Sequence, residues 1–152
     1  MPSEKDLTFG GEEHFDVPAA KVFALLTDLD QFAKNIPDLV NADRAGERTL
    51  NCVVKPGFSF LRGTMKLAIE MAELEAPRHA KMLIRSSGIG VQMLVESTLN
   101  IADTGAGSRL NWEARVTEMK GLVATVSPSL VRGAAEQIIR TSWSKIHEQL
   151  AS

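Results

Sequence analysis

Residues 93–117 read MLVESTLNIADTGAGSRLNWEARVT, and their punctuation decides the fold. Met93, Val95, Ser97, Leu99 and Ile101 alternate with Leu94, Glu96, Thr98 and Asn100. Beyond Asp103-Thr104-Gly105-Ala106-Gly107, the residues Leu110, Trp112, Ala114 and Val116 alternate with Asn111, Glu113, Arg115 and Thr117. A period of two sends successive side chains to opposite faces of a strand. The short glycine-rich break between the two runs predicts a hairpin turn. One face is apolar and the other mostly polar or charged, which is the pattern of an antiparallel sheet wetted on one side.

The same period extends upstream. Met65, Leu67, Ile69 and Met71 alternate with Lys66, Ala68, Glu70 and Ala72, and Leu50, Cys52 and Val54 alternate with Asn51 and Val53. Gly46, Gly57, Gly63 and Gly88-Ile89-Gly90 mark the turns, so residues 39–117 read as a meander of about six strands. An earlier strand is expected where Glu13, Phe15 and Val17 alternate with His14 and Asp16. Pro18 suits the first position of a helix whose apolar face is Val22, Leu25, Leu26 and Leu29. A second short helix, Leu29–Asn35, must end before Pro37. Ser127-Pro128 then opens a long helix, Ser129–Leu150, about 33 Å in length. Its apolar stripe begins as Leu130, Val131, Ala134, Ala135 and Ile138 and drifts to Ile139, Trp143, Ile146 and Leu150. Gly133 costs about 1 kcal/mol in mid-helix, and nothing in the sequence accounts for it.

This order gives an α+β class: a curved antiparallel sheet wrapped around a long C-terminal helix, with two short helices near the N-terminus. The 152 residues suit a single domain spanning 1–152. A curved sheet need not close tightly on its covering helix, and the inward side chains then line a pocket. The expected lining is Phe58, Met65, Leu67, Ile69, Met71, Met93, Val95, Leu99, Trp112, Ala114, Val116, Ala135 and Ile138. Its methionines suit an irregular apolar guest. The alternative is that these residues pack only against one another as core.

Charge and motif content exclude several functions. A net charge of −2 lacks the basic excess of a nucleic-acid binder. The single cysteine, Cys52, sits in an apolar strand phase and reads as a buried hydrophobe. The opening residues carry acids where a signal peptide is basic and then apolar, which points to a cytoplasmic protein. The three histidines, His14, His79 and His147, are scattered and read as surface residues, His147 on the polar side of the last helix. No metalloprotease, CxxC, nucleophile-elbow or phosphate-loop spacing occurs, so no catalytic residue, metal ligand or cofactor is expected. Polar candidates for meeting a ligand are Ser97, Ser142, Asn35 and Asp38, with Arg62 and Arg85 at the rim.

The longest uncharged run is Gly121–Val131, flanked by Lys120 and Arg132. Its eleven residues are too few for a membrane span of about 20. Leu122, Val123 and Val126 read either as a buried connection or as a mobile lip that gates the pocket and touches a membrane or partner.

The segment VPAAKVFALLTDLDQFAKNIPDL, residues 17–39, resembles the opening of the START-like, or SRPBCC, superfamily. NIPD at 35–38, FSFLRGTMKLAIEM at 58–71, GAGSRLNW at 105–112 and KGLVATVSPSLVRGAAEQII at 120–139 resemble the CoxG family of carbon monoxide dehydrogenase subunits. The resemblance runs from about Glu12 to Leu150. It implies a helix-grip fold with a hydrophobic pocket and association with a molybdenum hydroxylase, and it carries over no catalytic motif. Three functions follow as expectations. The first is an accessory protein that binds a lipid- or quinone-like molecule, with at most peripheral contact at the inner membrane face. The second is an enzyme of the polyketide cyclase or dehydratase kind, and the third a co-chaperone-like module with a filled cavity.

Overall fold

The computed structural model describes residues 7–36, 38–55, 63–88, 90–121 and 127–151. The chain runs β1 (Thr8–Phe15), α1 (Ala19–Thr27), α2 (Leu29–Lys34), β2 (Leu39–Arg44), β3 (Thr49–Val54), β4 (Met65–Glu75), β5 (His79–Gly88), β6 (Val91–Asp103), β7 (Ser108–Gly121) and α3 (Pro128–Ala151). All strands pair antiparallel in one curved sheet of order β1-β7-β6-β5-β4-β3-β2. The meander is therefore six strands long, and β1 adds to its last strand. The first strand starts at Thr8 and ends at Phe15, earlier than the alternation at 13–17 suggested.

Local chemistry fixes the short helices over one end of the sheet. Pro18 is the residue before the first helical turn rather than its first member, because its carbonyl accepts from Lys21 and Val22. Ala19 N–H instead donates to Asp103 Oδ1 at 2.8 Å, tying α1 to the β6–β7 turn. Asp28 caps α2 by accepting from the N–H groups of Asp30 and Gln31. Ala19, Val22, Phe23 and Leu26 of α1 and Leu29 of α2 are buried against the sheet.

Three bulges shift the side-chain phase. The pairing slips between Leu39 and Asn41, between Met71 and Glu73, and between Leu94 and Val95, where Val116 and Glu118 face consecutive partners. Thr117 is the extra residue of the last bulge, so inward positions on β7 run Leu110, Trp112, Ala114, Val116 and then Met119.

On α3 the inward stripe is Val131, Ala135, Ile139, Trp143, Ile146 and Leu150, a continuous row at spacings of four and three. Each step of four residues turns the row by about 40°, so the expected drift remains but is smaller, because Leu130 and Ile138 are 48 % and 40 % exposed and lie off the stripe.

Candidate functional site

The inner face of the sheet is buried at both ends and half-buried in the middle. At the α1–α2 end, Leu50, Ile69, Met71, Ala80, Leu99 and Leu110 pack under Phe15, Ile146 and Leu150, all buried. At the other end Leu7, Phe9, Val54, Met65, Val91, Val116 and Val131 form a second buried cluster. Between them, Leu67, Ile84, Met93, Val95, Ser97, Trp112 and Ala114 also point inward yet stay half-buried. Close packing normally leaves a side chain beneath a covering helix no free surface. These seven retain it, and the half-buried row they form marks the candidate hollow of the inner face, with the hydroxyls of Ser97 and of the buried Ser86, which pairs with Leu67 and Met93, on the same side.

The expected lining residues divide accordingly. Leu67, Met93, Val95, Trp112 and Ala114 lie in the half-buried row, and Met65, Val116 and Ala135 belong to the cluster at one end. Ile69, Met71 and Leu99 are 1 %, 2 % and 3 % exposed and form part of the closed core at the other end. Ile138 is a correction: it faces away from the sheet, and Ile139 takes the inward position one residue on. Phe58, Leu122, Val123, Val126 and Arg62 lie outside the described residues. Arg85 is exposed on the outer face, because inward residues on β5 are the even-numbered ones. Met119 and Ile84 face inward without having been expected there. The Thr117 bulge hides the first, and β5, with its run of Met82, Leu83 and Ile84, shows little alternation in the sequence.

A groove of about 720 Å³ lies between β1 and the flank of α3, with Trp112 in its lining. Gly11 stands opposite Trp112 in the β1–β7 register. A Cβ at Gly11 would fall 3.0 Å from the Trp112 indole nitrogen, so the missing side chain gives that ring its place over β1. Trp143 from α3 meets Trp112 at a ring-centre distance of 6.0 Å. One end of the groove is closed by Arg132 lying over the Phe9 ring at 4.8 Å. At the other end His147 Nε2 and Glu13 Oε1 are 2.7 Å apart, with the imidazole stacked on Phe15 at 4.5 Å. His147 is thus half-buried against β1, not on the outer side of the helix as its position suggested. Glu13 shares its strand phase with Phe15, and the inward-facing acid explains the imidazole's placement.

Trp112 Nε1–H is buried and has no acceptor among the described residues. An unmet buried donor costs about 1–3 kcal/mol. Arg140 and Glu136 also line the groove.

Elsewhere the titratable groups are structural. His14 pairs with the exposed Glu12 at 2.6 Å. His79 sits between Asn100 Oδ1 and Glu73 Oε1, each at 2.9 Å, and its pKa is raised, first by Asn100 and then by Glu73. Burial pushes the Cys52 thiol up. Among the described residues no three His, Cys, Asp or Glu side chains cluster as a metal site, and no helix is long and apolar enough to cross a membrane.

A seven-stranded antiparallel sheet gripping a long C-terminal helix, with two short helices over one end, is the START-like fold. A START superfamily protein from Mycobacterium smegmatis superposes with a TM-score of 0.70 at 12% identity, covering 95% of this chain and 97% of that one. The model of the CoxG family of carbon monoxide dehydrogenase subunits matches residues 11–151, and the chain belongs to that family. A conserved protein from Geobacillus kaustophilus is similar over 95% of both chains, with a TM-score of 0.87 and 20% identity. The di-domain ARO/CYC protein BexL, from the BE-7585A biosynthetic pathway, aligns with 99% of this chain and 52% of its own, at a TM-score of 0.69 and 14% identity. No curated protein sequence matches the chain.

Proposed function

We propose that this protein binds a hydrophobic small molecule, lipid- or quinone-like, between the sheet and α3, and serves as an accessory to a molybdenum hydroxylase of the carbon monoxide dehydrogenase type. The observation that carries the reading is the row of inward but half-buried apolar side chains, Leu67, Ile84, Met93, Val95 and Ala114, between two closed clusters. Membership of the CoxG family supports the accessory role. Apolar surface lost to water on binding contributes about 25 cal/mol per Å², less the cost of ordering both partners. In this reading the protein works in the cytoplasm, with at most peripheral contact at the inner membrane face.

The test is native mass spectrometry of protein purified without detergent, followed by solvent extraction and identification of what is released. A stoichiometric lipid or isoprenoid quinone is the expected result. A clean apo mass, unchanged after exposure to quinones and fatty acids, overturns the proposal in favour of a filled core and a protein-binding role. One observation favours an enzyme instead: Glu13 and His147 place an acid–base pair in the groove between β1 and α3. A cyclase or dehydratase reading requires that pair to be essential, and Glu13→Gln with unchanged ligand occupancy and unchanged support of the partner enzyme removes it.

A further inference from the structure

The sheet has two edges, β1 and β2, and they are finished differently. At β2 the ladder slips between Leu39 and Asn41, and a bulge of this kind turns an edge away from further pairing. At β1 there is no such device: Thr8–Phe15 pairs with β7 without a shift and contains neither lysine nor proline. Val116 N–H donates to Leu7 C=O at 2.8 Å, so the odd-numbered residues of β1 turn their backbone groups toward β7. The even-numbered ones, Thr8, Gly10, Glu12 and His14, turn theirs away from the sheet. Among the described residues no backbone bond reaches that outer side. A row of unmet N–H and C=O groups is a template for another strand.

The groove of about 720 Å³ runs along this edge, with Thr8 and Gly10 on the strand side and α3 opposite. Arg132 meets Phe9 and His147 meets Glu13, so helix and strand run in the same sense along it. The helix wall carries Arg132, Glu136 and Arg140 at four-residue spacing, none of them in an ion pair among the described residues. Glu13, the remaining acid of the groove, is held by His147. Each step of four along a helix rises about 6 Å, and alternate residues of a strand are about 6.7 Å apart. A strand laid beside β1 therefore meets the three charges with residues i, i+2 and i+4.

We infer that the groove docks an extended peptide of a partner protein, which adds to β1 as a further antiparallel strand and sets an acidic, a basic and an acidic side chain, at alternate positions, against Arg132, Glu136 and Arg140. Backbone pairing supplies the affinity, and the order of charges selects the sequence. The site makes no use of the hydrophobic interior, so it goes beyond small-molecule binding, and either can fail alone.

The probe is the acetylated and amidated peptide TVEVKVEVT, whose palindromic order presents the same charges in either direction. Titrated into isotope-labelled protein at low salt, it should move the amide protons of Gly10 and Glu12 downfield and protect them from exchange. The charge-reversed peptide TVKVEVKVT should bind about tenfold more weakly, since it sets like charges against each helix residue. Arg140→Glu, at an exposed position of α3, should shrink that preference. Residues paired across strands share a face, so the valine N–H groups of the added strand point at β1 while those of its Glu and Lys point away. N-methylation of the valines should therefore abolish the Gly10 and Glu12 shifts, and N-methylation of the charged residues should leave them. Silent edge amides at the highest soluble peptide concentration, equal affinity for the two charge orders, or full binding of the valine-methylated peptide overturns the proposal. So does protection of the same amides in the free protein together with a dimeric mass, which gives the edge to a second copy of the chain. None of these outcomes touches lipid or quinone occupancy, which native mass spectrometry reads separately.

Discussion

The hollow makes a prediction about sign as well as size. Ala114 faces inward from β7, opposite Ser97, and is half-buried. Ala114→Leu adds three carbons, worth about 0.8 kcal/mol each if they are buried. Against that gain of about 2.4 kcal/mol stands roughly 0.5–1 kcal/mol of lost rotamer freedom. If the space is there, the variant is stabilised by about 1.5 kcal/mol and loses ligand, because the leucine occupies the guest's volume. If the inner face is close-packed instead, overpacking destabilises by about 1–3 kcal/mol. Ala80 supplies the control, since it faces inward from β5, pairs with Leu99 and is fully buried. Ala80→Leu has no space and should fall in the destabilised range. Urea unfolding followed by tryptophan fluorescence, with the slope checked for constancy, measures both. Native mass spectrometry gives the occupancy. If Ala114→Leu loses as much stability as Ala80→Leu, there is no hollow, and the binding proposal fails with it.

Three further outcomes follow from local geometry. Gly133 is exposed in α3, and a Cβ built on it meets no atom within 4 Å, so Gly133→Ala should gain about 1 kcal/mol in denaturant unfolding; a loss would mean that the helix face at 133 is covered. His79 meets an acceptor on each ring nitrogen, an arrangement that only the imidazolium satisfies fully. With its folded pKa raised, its contribution is complete below the ordinary value of 6.5 and is lost as pH rises through the folded value, so the melting temperatures of wild type and His79→Gln should converge with rising pH, and a gap that widens contradicts the assignment. Ile138→Glu should change stability by less than about 0.5 kcal/mol, whereas Ile139→Glu buries an unpaired carboxylate and should cost more than about 2 kcal/mol; equal costs would return both residues to the inward stripe.

Strand number, order of elements and the wet and dry faces were legible because the alternation in 65–71, 93–101 and 110–116 is regular. What was not legible lies where regularity breaks. The bulge at Thr117 turns Met119 inward, and no residue type in that run announces the slip. On α3, Ile138 and Ile139 are chemically equivalent, and only the seat of the helix on the sheet selects the second. The partnership of Glu13 with His147 joins residues 134 apart in the chain, and strand phase placed the acid correctly while giving no sign of its partner. The Trp112 indole was expected on the apolar face, but its unmet N–H depends on the blank left by Gly11 on a neighbouring strand, which sequence spacing does not show.

The groove is built from the first strand and the last helix of the described chain, and this has a consequence for how the protein is made. Strands β2 to β7 join through hairpins between neighbours, whereas Phe15 pairs with Ser108 and Thr8 with Arg115, about a hundred residues away. Closing so long a loop is slow compared with zipping adjacent strands, so the meander is favoured to form first and β1 to dock late. A nascent chain can hold most of its sheet while lacking both walls of the groove. The groove then has no complete wall until synthesis reaches α3 and β1 has docked, which ties assembly of the site to completion of the whole domain and not of its sheet alone.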